Sequence, residues 1–177
     1  MLKKLKMNEK AGGAVALKGL TVILIMITVI ALLLDCIYIG ICYFYIKTQM
    51  DMANRAVYAE IDRTRLADRE LYIDKSTGET KFYEYLKKNL KLNDSLEPIG
   101  LNMRIEGPIQ VLDIIIYNES DLPAVTPVVT NIDMVSVHSR IEAQIRPIFI
   151  GIFTTVTIRP YIDTDLPDKL VKNFHPM

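Results

Sequence analysis

The sequence predicts an α+β fold: a long N-terminal helix, transmembrane and then an amphipathic stalk, packed on a small antiparallel sheet of three to four strands with one further helix. Three observations predict it. Leu20–Ile46 is an apolar run of 27 residues, interrupted only by Thr21, Thr28, Asp35 and Gly40. Ile46, Met50, Ala53, Val57 and Ile61 then recur at spacings of four, three, four and four, which is one stripe of an α-helix. From Val135 to Arg146 apolar and polar residues alternate, which is the period of a strand with one wet face.

The apolar run has the length of a membrane span. At ~1.5 Å per residue it reaches about 40 Å, more than the ~30 Å hydrocarbon layer requires. A cleaved signal peptide has a shorter apolar region followed by small residues. Here Tyr38, Tyr43, Phe44 and Tyr45 follow, and such rings gather at membrane–water interfaces. Asp35 is the one acid in the run. It costs about 2.5–3.5 kcal/mol at mid-membrane, against about −4 to −8 kcal/mol from the Leu, Ile and Val residues of Leu20–Ile39. Insertion therefore wins. Asp35 is read as a carboxylate reaching the outer interface or, more sharply, as a polar contact with a partner subunit inside the membrane.

Charge sets the expected orientation. Formal net charge is zero, but residues 1–18 hold Lys3, Lys4, Lys6, Lys10 and Lys18 against Glu9 alone. Positive flanks stay cytoplasmic. The expected organisation is a basic cytoplasmic leader over 1–18, a transmembrane helix over 19–46, an amphipathic helical stalk over 47–73 and an extracytoplasmic α+β domain over 74–177. Membrane lipid is the implied partner. Outside the leader no basic patch of the size nucleic acid requires is present.

Further along, one helix is expected to run from about Ala14 or Lys18 to near Arg69, since no Pro or Gly interrupts residues 41–77. Asp74–Gly78 reads as a turn, with Ser76 and Glu79 spaced as a capping box opening a second helix. Phe82, Tyr85, Leu86 and Leu90 form its apolar face, and Lys87, Lys88 and Lys91 its wet one. Ile109–Tyr117 reads as a buried strand, with a weaker one over Leu101–Ile105. Glu119–Asn131, containing Pro123 and Pro127, reads as a loop. Thr154–Ile162 reads as one more strand, with Val156 and Ile158 inward.

Chemistry is sparse. Cys36 and Cys42, the two cysteines, lie in the apolar run, so no disulfide framework supports the exported part. His138 is placed on the wet face of a strand and His175 among the last three residues, neither with partners at metal-ligand spacing. Ser136, His138 and Asp133 are too close along one strand to form a triad. Lys75-Ser76-Thr77-Gly78 lacks the Ser-x-x-Lys partner of the enzymes whose Lys-Thr-Gly box it resembles. A structural or binding role is expected, with no enzyme activity and no cofactor.

Three segments resemble the TadE-like family, the minor pseudopilins of tight-adherence (Tad/Flp) pili. Gly13-Ala14-Val15-Ala16-Leu17 stands just before the span. Tyr43-Phe44-Tyr45-Ile46-Lys47-Thr48-Gln49-Met50-Asp51-Met52-Ala53-Asn54-Arg55-Ala56 is similar to the family's aromatic, Gln-rich, Ala-Arg-Ala helix. Val135–Pro147, Ile148–Gly151 and Thr154–Ile158 are similar to its closing strand, proline-containing turn and strand. The resemblance implies a pilin-like architecture and a membrane prepilin, with other pilins or pseudopilins, a prepilin peptidase and a pilus assembly platform as partners. It also implies a cut between Gly13 and Ala14. The family carries Glu five residues after the cut, where this chain has Lys18. A lysine cannot pair with a new amino terminus, but it can snorkel to the cytoplasmic interface. Two outcomes stay open: a processed subunit, or an unprocessed member that serves the platform. The competing expectation is a single-pass, membrane-anchored extracellular binding module unrelated to pili.

Overall fold

The computed structural model describes residues 2–68, 70–100 and 105–166, with 2–14 described by backbone alone. Helix α1, Leu2–Val57, runs for 56 residues, or about 84 Å. It starts earlier than the apolar run alone predicts, because Leu2–Ala11 is rich in good helix formers. Its two halves differ in surroundings. Val15–Leu34 is bare, with nearly every large apolar side chain exposed. From Asp35 onward one face turns inward, and Cys42, Ile46, Met50, Ala53 and Val57 are buried. Among the described residues, α1 is the one helix long and apolar enough to cross a membrane.

The helix ends at Val57 rather than near Arg69, which itself lies outside the described residues. Tyr58–Glu60 tighten into a 3₁₀ turn, and Ile61 turns extended and bridges to Ile73. The Tyr58 hydroxyl donates to the Thr164 carbonyl at 2.6 Å, so a contact distant in sequence fixes the break. Burial, with Asp165 and Asp51 nearby, holds that phenol above its ordinary range. Asp62 then accepts from the Thr64 and Arg65 amides and opens the short helix α2, Arg63–Ala67.

Helix α3, Lys75–Leu90, opens on Asp74 rather than on the box proposed from Ser76 and Glu79. The Asp74 carboxylate accepts from both the amide and the hydroxyl of Thr77 at 2.9 Å. Phe82, Leu86 and Leu90 are buried as predicted, and Tyr85 is half-buried. Gly78 permits close approach. A Cβ there would lie 2.5 Å from Ile116 Cδ1, 3.0 Å from Val57 Cγ1 and 3.2 Å from Ile73 Cγ2. Val57 and Ile73 are β-branched and stiff, so G78V is expected to destabilise by about 1–3 kcal/mol in chemical denaturation.

The sheet is antiparallel and four-stranded. Strand β1, Ile105–Tyr117, lies at one edge, and two short strands, β2 (Ala124–Val125) and β3 (Asn131–Ile132), form a separate hairpin. Strand β4, Ser136–Ile145, is central, while β5, Val156–Ile158, and β6, Tyr161–Asp165, share its other side. Several expectations are corrected. β1 is an edge strand, only partly buried, and it starts at Ile105; residues 101–104 lie outside the described residues. Pro108 and Gly107, with φ 70°, sit at a register shift there, which an edge tolerates. The predicted strand over Thr154–Ile162 is two strands, divided at Arg159-Pro160. The predicted loop Glu119–Asn131 holds a 3₁₀ turn and most of the hairpin.

The inner face of the sheet meets both long helices. Ile109, Ile116, Val137, Ile141, Ala143 and Ile145 form one core with the α1 stripe and with Phe82, Leu86 and Leu90. Two buried asparagines lock the elements. Asn54 on α1 donates to the Val137 carbonyl at 3.0 Å and to Thr164 Oγ1 at 3.1 Å. Asn118 clamps Ile73, accepting from its amide at 2.8 Å and donating to its carbonyl at 3.0 Å. N118A orphans both groups and is expected to cost about 2–3 kcal/mol in chemical denaturation of the full chain.

Candidate functional site

The site starts from a carboxylate with nowhere obvious to go. Asp35 stands between Leu34 and Cys36 on the apolar helix, yet its side chain is only 1 % exposed. The loop joining β4 to β5 reaches back along α1 to cover it. Oδ1 accepts from the Ile148 amide at 2.6 Å and the Phe149 amide at 3.0 Å. Oδ2 accepts from Phe149 at 3.2 Å and from Ile150 at 2.9 Å. Three successive backbone N–H groups thus form a nest around one anion. Such charge-assisted bonds offset the cost of taking a carboxylate out of water.

The loop's sequence suits this shape. Pro147 has no N–H to satisfy and ends the ladder of β4. Ile150–Ile152 make a 3₁₀ turn, closed by Phe153 N–H donating to the Ile150 carbonyl at 2.9 Å. Gly151 fits because a Cβ would meet Arg146 Cγ at 2.6 Å. Arg146 itself is held by Glu106 on β1, at 2.5 Å. The tip is apolar and bare: Ile148 and Phe149 are exposed, Ile152 is 84 % exposed and Phe153 87 %.

The other predicted positions lie apart from this nest. Gly13 and Ala14 fall within helix α1, but their side chains lie outside the described residues. Lys18 is exposed on the same helix, about 26 Å below Asp35 by helical rise. Asp35 meets the chain's own loop, through the amides of Ile148, Phe149 and Ile150. No single-sequence signal pairs residues 113 positions apart, although an acid in an apolar run implies a partner somewhere.

No family model, curated protein or solved structure matches the chain.

On the sheet's outer face the polar residues pair across strands. Arg140 meets Asp113 at 2.6 Å and Arg159 meets Glu142 at 2.6 Å. His138 corrects the sequence reading, because it is wholly buried rather than wet. It is flanked by Ile115 on β1 and Asp163 on β6, and its Nδ1 meets Asp163 Oδ1 at 2.5 Å. Alternation gives the face a residue points to, not what covers that face. His175 lies outside the described residues. Among the described residues, no group of three or more His, Cys, Asp or Glu is placed to hold a metal. A cavity of about 340 Å³ opens beside Leu71, Leu122, Val135 and Leu166, with Glu119 and Asp133 at its rim. Glu119 is engaged there with the Leu71 amide at 3.2 Å.

Two carboxylates near Asn118 are pH-sensitive. Lys75, at 2.9 Å, and the Asn118 amide hold Asp121 below its ordinary range. The amide and hydroxyl of Thr77 do the same for Asp74. A depressed folded pKa adds stability that is complete above the unfolded value of about 4 and is lost as pH falls below it. Thermal scans from pH 6 to pH 3 are expected to show this decline, blunted in the K75A protein, which loses the Lys75 ammonium beside Asp121.

Proposed function

We propose that the chain is a single-pass membrane protein with its N-terminal tail in the cytoplasm and its sheet domain outside. It works by packing and display rather than by catalysis, as a minor pseudopilin or membrane-bound assembly component of a Tad/Flp-type system. One observation carries the reading: a single helix that is bare and apolar over Val15–Leu34 and, from Asp35 to Val57, is the spine of a folded domain. The bare stretch needs a cover that water cannot supply, and lipid or the apolar helices of neighbouring subunits are the two covers of matching chemistry. The five lysines before it support the cytoplasmic placement of the tail. The pilus assignment leans on the segments around Gly13 and Tyr43–Ala56 described above.

The test is the state of the N-terminus and the location of the protein. A processed pseudopilin from its own membranes has Ala14 as its first residue and enters sheared surface fibres. A membrane-bound assembly component keeps Met1 and co-purifies with pilus or secretion proteins. An intact chain that does neither overturns the pilus reading and leaves the anchored binding module. One observation favours residence in the membrane: Lys18 stands where pairing with a new amino terminus calls for an acid.

A further inference from the structure

We propose that the loop 147–154 is a second membrane contact, a wedge whose Ile152 and Phe153 side chains enter the outer-leaflet acyl region beside helix α1. The inference rests on the membrane-anchoring reading above and adds an interaction surface to it.

Depth is the first argument. Lys18 is the last cation before the apolar run, and Asp35 stands about 26 Å further along the axis. The hydrocarbon layer is ~30 Å thick, so Asp35 falls within its outer edge. Ile148, Phe149 and Ile150 donate directly to Asp35, which fixes the loop at that depth. Composition is the second. From Pro147 to Ile158 the sequence carries no charge, and four large apolar side chains of the loop are exposed. The third argument is the backbone. Polypeptide enters hydrocarbon only when its amides have partners within the chain. Here five of the loop's seven amides have such partners: Asp35 takes those of Ile148, Phe149 and Ile150, and the Ile150 carbonyl takes those of Phe153 and Thr154, while Pro147 carries no N–H. Asp35 thus answers two needs at once: its own burial and the satisfaction of a loop held at the membrane surface.

The chain has no tryptophan, so a substituted one is a unique reporter. Full-length F153W and L24W proteins are reconstituted into phosphatidylcholine vesicles, with and without brominated phosphatidylcholine. Both are expected to show blue-shifted emission that the brominated lipid quenches, with iodide in the buffer having little effect. Quenching of L24W by brominated lipid together with quenching of F153W by iodide overturns the wedge and leaves the anchor standing. F153W emission that neither agent quenches places a protein surface over the loop and also overturns it. If L24W escapes the brominated lipid, the anchoring reading fails, and the wedge with it.

Discussion

Replacing Asp35 with alanine is expected to free the β4–β5 loop from helix α1 and to lower the unfolding free energy by about 3–5 kcal/mol. Three backbone amides lose their shared acceptor at once. Bonds to a charged group contribute about 1.5–3 kcal/mol each, and a buried orphan donor costs about 1–3 kcal/mol. The loop can swing away and recover part of this, which keeps the total below the sum. D35N separates charge from shape. Its single carbonyl oxygen cannot serve both ends of the nest, and its amide group opposes the remaining donor. The effect is expected to lie between those of wild type and D35A. Hydrogen exchange in detergent micelles reads this directly: the amides of Ile148, Phe149 and Ile150 are slow in wild type and fast in D35A. Equal exchange rates in the two proteins contradict the assignment.

The second large effect is F82A. Phe82 is wholly buried on α3, in the core shared with the α1 stripe and the sheet. Its loss leaves a cavity between two helices that cannot close without moving a strand, and such truncations cost about 3–5 kcal/mol. F82L keeps most of the volume and is expected to cost about 1 kcal/mol. Thermal melts followed by far-UV circular dichroism in micelles measure both. A loss under about 1 kcal/mol for F82A means that α3 does not pack as described.

Periodic features were legible in the sequence, and features set by distant contacts were not. The stripe from Ile46 to Val57 repeats with the helix, so it reads directly, as do Phe82, Leu86 and Leu90. The end of α1 carries no Pro or Gly; a Tyr58 hydroxyl bond to a residue 106 positions away sets it. Asp74 and Ser76 are both good capping residues, and only the position of Thr77 decides between them. Pro160 divides β5 from β6, yet both halves keep the alternation that suggested one strand. The nest around Asp35 is the extreme case. Its donors are backbone amides, which every sequence supplies, so no side-chain pattern announces them. The cost of an acid among leucines is the one clue that they exist.

The partition of the chain across a membrane is tested most directly by labelling with a membrane-impermeant maleimide. In a C36A background Cys42 stays buried and silent, and single cysteines are placed by K6C in the tail or K88C on the exposed face of α3. The account predicts that K88C is labelled on intact cells and K6C only after permeabilisation. Labelling of K6C on intact cells, or of K88C only after lysis, contradicts it.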